Sequence, residues 1–168
     1  MSHPAVRSFN IGVISDTHGL LRPEAVEALR GVDHILHAGD VGDARILSAL
    51  REIAPLTAIR GNVDVSGECG QLPPTDAVEL GGCLIYLIHA LADLDINPRA
   101  AGVGAVVYGH SHRPDIQQRD GVLYLNPGSA GSRRFSLPVT LAKVEVAGGK
   151  FQARIVGLGD NRSHSERG

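Results

Sequence analysis

The run Ile11-Gly12-Val13-Ile14-Ser15 passes without a break into Asp16-Thr17-His18. A short β-branched segment bounded by polar residues predicts a buried strand. Its carboxyl end then carries two side chains of metal-ligand type. The arrangement recurs along the chain: residues 35–38 lead into Gly39-Asp40, residues 56–59 into Gly61-Asn62, residues 83–88 into His89, and residues 105–108 into Gly109-His110-Ser111-His112. Between the first strands lie segments with helical spacing. Residues 23–30 open on Pro23 and stop at Gly31, and residues 43–53 place Ala44, Leu47, Leu50 and Ile53 on one face. Alternation of this kind predicts an α/β layered fold.

After Pro114 the helices cease. Residues 116–119 and 122–125 flank Asp120-Gly121, and residues 139–146 and 151–156 flank Gly148-Gly149. Both read as hairpins. They are expected to contribute antiparallel strands to a second sheet packed on the first. The chain of 168 residues suits one domain, taken as residues 1–158, with a polar tail, 159–168, expected to fray.

Composition removes several function classes. The chain is 43% hydrophobic and 20% charged, enough apolar surface for one core and too much for disorder. Its net charge of -2 lacks the positive field that nucleic-acid coating or acidic-membrane binding requires, so no sequence-specific nucleic-acid partner and no membrane are expected. Cys69 and Cys83 make neither a disulfide framework nor a thiolate zinc site. Residues 1–10 hold no apolar leader, which predicts a cytoplasmic protein. The eight histidines are the unusual feature, and four of them, His18, His89, His110 and His112, sit at strand ends.

In α/β sheets, sites form at the carboxyl ends of parallel strands, so residues far apart in sequence can converge there. Asp16, His18, Asp40, Asn62, His89, His110 and His112 offer imidazole, carboxylate and amide oxygen. That set suits manganese, iron, cobalt, nickel or zinc. Seven ligands exceed what one ion uses and fit two ions sharing a carboxylate, the arrangement used for displacement at phosphorus. Gly12, Gly39, Gly61 and Gly109 read as positions that let the loops approach such ions. His37 lies one pleat from the site, as a support for a ligand or a packed strand residue.

Asp16-x-His18, Gly39-Asp40, Gly61-Asn62, His89 and Gly109-His110-x-His112, in this order, resemble the signature of the calcineurin-like metallophosphoesterases, in particular their small single-domain bacterial and archaeal phosphodiesterase branch. The stretches His37-Ala-Gly-Asp40, Gly61-Asn-Val-Asp64 and Asn126-Pro-Gly-Ser129 resemble that branch in detail. The resemblance implies a four-layer α/β/β/α sandwich with two central mixed sheets. It implies two divalent ions per chain, manganese first, with nickel, cobalt, iron or zinc as alternatives. Asp16, His18, Asp40 and His112 would hold one, and Asp40, Asn62, His89 and His110 the other, with Asp40 bridging.

Asp40, Asn62 and His89 are the expected catalytic residues, around in-line attack by hydroxide held between the ions on a small phosphodiester. Arg60, Asp64, Arg113 and Asn126 are weaker candidates for substrate binding. The alternatives are a phosphomonoesterase and a non-catalytic scaffold of the same fold, and a homo-oligomer is compatible with either. Many members carry a histidine after the asparagine, thought to protonate the leaving group. Here Val63 stands in its place and cannot donate a proton.

Overall fold

Alternation along the first strand, β1 (Phe9–Ile14), sends Ile11 and Val13 to one face and Gly12 and Ile14 to the other. The computed structural model describes residues 7–134 and 136–159. After β1 come α1 (Pro23–Ala28), β2 (His34–His37), α2 (Ala44–Ile53), β3 (Leu56–Ala58), α3 (Gly67–Gly70), β4 (Thr75–Leu80) and β5 (Cys83–Ile88). A 3₁₀ turn (Leu91–Asp93) leads to β6 (Ala105–Val107), β7 (Asp115–Arg119), β8 (Val122–Asn126), β9 (Thr140–Ala147) and β10 (Lys150–Gly157).

Two five-stranded mixed sheets result, one ordered β10-β9-β1-β2-β3 and the other β4-β5-β6-β8-β7. Their inner faces share a core that includes Ile11, Val13, Leu36, Ala142 and Val144 from the first sheet. The second sheet supplies Ile85, Leu87, Val107, Leu123 and Leu125. Helices α1 and α2 cover the outer face of the first sheet, burying Leu29, Leu47 and Leu50 against Ile14 and Ile35. Pro23 opens α1. Asp43 caps α2 by accepting from the Arg45 N–H at 2.9 Å. The outer face of the second sheet is covered by the segment around the 3₁₀ turn, where Leu91, Leu94 and Ile96 pack on Ile88, Val106 and Tyr108. The four layers are therefore present, and the fourth is a single 3₁₀ turn with its flanking chain.

Three expectations need correction. The five ligand-bearing strands do not share one sheet: β1, β2 and β3 lie in the first, β5 and β6 in the second, and the carboxyl edges of both meet at the site. The second C-terminal hairpin does not enter the second sheet. Strand β9 pairs antiparallel with β1 (Val13 opposite Ala142), so only β7 and β8 extend the second sheet. Gly12, read as a close approach to the ions, instead faces α1, where a Cβ would collide with Leu29. Of the polar tail, residues 160–168 lie outside the described residues. Among the described residues no helix is long and apolar enough to cross a membrane.

Candidate metal centre

The chain turns sharply after β1, β2 and β6, and the backbone records it. Six non-glycine residues among those described have positive φ, and five of them are Asp16 (55°), His18 (47°), Asp40 (57°), His110 (72°) and His112 (64°). The left-handed region costs of order 1–3 kcal/mol at a non-glycine position and persists only where surrounding structure enforces it. Five such residues at one place mark a site held against local preference.

The side chains converge. Asp16 Oδ1 lies 3.5 Å from His112 Nε2, 3.8 Å from His18 Nε2 and 3.9 Å from His89 Nε2. Asp40 Oδ2 lies 3.4 Å from His18 Nε2 and 3.2 Å from His89 Nε2. The other carboxylate oxygens face outward and are fixed. Asp16 Oδ2 accepts from Ser15 Oγ (2.8 Å) and the His110 N–H (3.1 Å), and Asp40 Oδ1 accepts from the Val63 N–H (3.0 Å). His89 Nδ1 donates to the Ala38 carbonyl at 2.8 Å, which leaves Nε2 turned toward both carboxylates. The approach of the loops depends on glycine, since a Cβ on Gly109 would collide with Ser15 Oγ and Asp16 Oδ2, and one on Gly61 with Asp40.

Asp16 Oδ1, His18 Nε2, His89 Nε2 and His112 Nδ1 are buried without a hydrogen-bond partner, and among the described residues no other side chain has such an atom. Leaving buried polar groups unpaired costs roughly 1–3 kcal/mol each, more when charged. A divalent cation would take Asp16 with His18 and His112, or Asp16 with Asp40 and His89, without moving the backbone, because the ligand atoms of each trio already lie within 4.8 Å of one another. The donors fit a divalent metal.

Charge follows the same geometry. Burial pushes the Asp16 carboxyl above its ordinary value. Burial pushes Asp40 the same way, but the close approach of the His89 ring, the hydrogen bond from the Val63 N–H and the charges of His89 and His18 outweigh it and hold this carboxyl at about 2. For His89, burial favours the neutral ring, yet Asp40, the Ala38 carbonyl and Asp16 together raise it. Burial lowers His112.

Not every expected residue joins the cluster. Asn62 and His110 are exposed at its margin, His110 with its ring 5.2 Å from that of His89. Arg60 and Arg113 are exposed, and Arg60 and Asn62 line a cleft of about 350 Å³ that reaches His89. Asp64 and Asn126, read as substrate contacts, are buried and committed elsewhere. Asp64 accepts from the Val41, Gly42 and Gly61 N–H groups at 2.9–3.0 Å, stapling the loop after β3 to the loop after β2. Asn126 donates to the Gly109 carbonyl and Ser111 Oγ and accepts from the Gly128 N–H, holding the loop that carries His110 and His112. Ser15 and Thr17, which the sequence reading passed over, hold Asp16 and the loop after β2; the signal was their place on either side of Asp16.

His37 proves to be a strut. Its Nδ1 accepts from the Gly39 N–H (3.1 Å), so the proton sits on Nε2, which donates to Thr17 Oγ1 (3.0 Å), and Thr17 donates to the Val41 carbonyl (2.8 Å). Burial pushes this ring down to about 4. Because the folded value lies below the ordinary 6.5, the unfolded chain binds a proton that the folded chain refuses between those two values. Stability is therefore full above about pH 6.5 and falls as pH drops toward 4, by about 3 kcal/mol at about 1.4 kcal/mol per pH unit. Urea unfolding of chelator-treated protein should show the slope, and His37→Gln, which keeps a donor for Thr17, should flatten it. Parallel pH profiles for the two proteins would contradict this role.

The comparisons with known proteins agree with this geometry. Residues 9–149 match the family model described as the calcineurin-like phosphoesterase superfamily domain. A probable metallophosphoesterase of Methanothermobacter thermautotrophicus is 33% identical over 165 residues, covering 89% of this chain and 92% of that protein. Among solved structures, an archaeal phosphodiesterase superposes with a TM-score of 0.73 at 21% identity, covering 88% of this chain and all of the other. Vacuolar protein sorting 29 of Cryptosporidium parvum superposes with a TM-score of 0.72 at 18% identity, covering 91% and 99%. At these identities the two superpositions speak to fold alone. With the family model spanning most of its length and its strand-end donors gathered at one point, the chain belongs to the calcineurin-like phosphoesterase superfamily.

Proposed function

We propose that this protein is a phosphodiesterase working with two divalent cations, one held by Asp16, His18, Asp40 and His112 and the other by Asp40, Asn62, His89 and His110. Manganese fits the mixed nitrogen and oxygen donors. The observation that carries this reading is the set of four buried, unpartnered donor atoms on Asp16, His18, His89 and His112, residues that fall in two trios whose ligand atoms lie within 4.8 Å of one another. When bound, such cations lower the pKa of water toward ~7 and neutralise charge developing on the phosphoryl oxygens.

The chain's own residues do the rest. In this assignment Asp40 would be the shared ligand, because its Oδ2 lies nearer His18 and His89 (3.4 and 3.2 Å) than Asp16 Oδ1 does (3.8 and 3.9 Å), while the Val63 N–H fixes its Oδ1. Ser15 and the His110 N–H orient Asp16, and the Ala38 carbonyl orients His89. Arg60 and Asn62 stand along the adjoining cleft, where a fork of donors and an amide suit a phosphate oxygen. No side-chain nucleophile is required, so no phospho-enzyme should form.

A panel of nitrophenyl substrates tests this reading. With Mn²⁺ the protein should hydrolyse bis(nitrophenyl) phosphate at least tenfold faster than nitrophenyl phosphate, and excess chelator should abolish the activity. Faster hydrolysis of the monoester would make it a phosphomonoesterase. Hydrolysis of neither by metal-loaded protein would leave the scaffold reading.

A further inference from the structure

The cleft beside the candidate metal centre is lined by two chemically different groups of residues. Its lining holds His89, just past the carboxyl end of β5, with Arg60 and Asn62 from the loop after β3. The same lining holds Tyr86, three residues back along β5 on its outer face, with Asp93 of the 3₁₀ turn and Asp95 just beyond it. Both aspartates are exposed, and among the described residues neither is within ion-pair distance of a lysine, arginine or histidine. The cleft therefore carries an aromatic ring and two carboxylates that can only accept in the same lining as Arg60, Asn62 and His89.

We propose that this cleft is the alcohol subsite and that it selects phosphodiesters of an amino alcohol, with a primary or quaternary ammonium group lodged between Tyr86, Asp93 and Asp95. The proposal rests on the phosphodiesterase reading and names its substrate class. An ammonium group is attracted to both the ring face and the carboxylates, whereas a second phosphate or a carboxylate would be repelled by them. Such a substrate carries its negative charge at the phosphoryl group and its positive charge at the far end of the alcohol, which matches the polarity of the cleft. Hydrolysis splits the P–O bond with water, giving the free alcohol and a phosphomonoester, and needs no further reactant.

Three chromogenic diesters with a common nitrophenyl leaving group separate the alternatives: those of choline, thymidine and ethanol. With Mn²⁺-loaded protein the choline ester should have the lowest KM. The Asp93→Asn/Asp95→Asn double variant should raise that KM about tenfold while leaving the ethyl ester within twofold, as expected for the loss of two partly solvated ionic contacts. Tyr86→Leu should act in the same direction. An unchanged KM for the choline ester in the double variant would overturn the proposal. A thymidine ester that binds best and responds to the same substitutions would overturn it in favour of a nucleoside. If no diester is cleaved, the phosphodiesterase reading has failed separately. Calorimetric titration with phosphocholine and with ethyl phosphate then decides the cleft, and tighter binding of phosphocholine that the double variant loses would support it. Glycerophosphocholine in solution against phosphatidylcholine in vesicles distinguishes a soluble from a lipid source of the same headgroup.

Discussion

Asp40→Asn is expected to lose more than about 100-fold in turnover, beyond the 10–100-fold typical of losing an outer hydrogen-bond partner of a metal ligand. The replacement is isosteric, and its amide oxygen can still accept from the Val63 N–H that now bonds Oδ1. The other carboxylate oxygen is replaced by an NH₂ group turned toward His18 and His89, which lie 3.4 and 3.2 Å from it. A donor then stands where both proposed cations need an anion. His18→Ala removes a ligand from one of the two sets and should cost less. In the presence of chelator the melting temperature of Asp40→Asn should stay within about 4 °C of the parent, roughly the shift for 1 kcal/mol in a chain of this size. A variant that keeps its metal and its rate would show that Asp40 is not the shared ligand.

The second large effect concerns the leaving group. Val63 is 46% exposed beside the site and contributes its N–H to Asp40, so its side chain is free to change without disturbing that bond. An isopropyl group cannot protonate a departing alkoxide, a contribution typically worth ~10²–10⁴-fold. Aryl leaving groups need little such help. Mn²⁺-dependent hydrolysis should therefore be fast for nitrophenyl diesters and phosphonate esters and fall steeply as the leaving-group pKa rises. Val63→His should flatten that dependence by accelerating the poor leaving groups selectively. A flat plot for the parent protein would mean that another acid already serves this purpose.

The ligand-bearing strand ends were legible because they combine two local signals, a short apolar run and a donor residue immediately after it. The structure brings Asp16, His18, Asp40, His89 and His112 together in two overlapping trios. What was not legible depends on partners. The alternation in residues 139–146 fits the inner face of either sheet equally, and only pairing with β1 decides which one β9 joins. Strand β4 escaped notice because Asp76 and Glu79 interrupt its apolar residues, as suits an edge strand, although the Gly81-Gly82 turn into β5 is a hairpin signal. Asp64 and Asn126 have the residue types of substrate ligands, and sequence does not say that backbone groups already use them.

The central claim is a two-cation centre, and titration of chelator-stripped protein with Mn²⁺, followed by equilibrium dialysis and elemental analysis, tests it most directly. The account predicts two ions bound per chain at saturation, with hydrolysis of bis(nitrophenyl) phosphate rising with occupancy of the second. Saturation at one ion per chain, with diester hydrolysis already at its maximum, would contradict it.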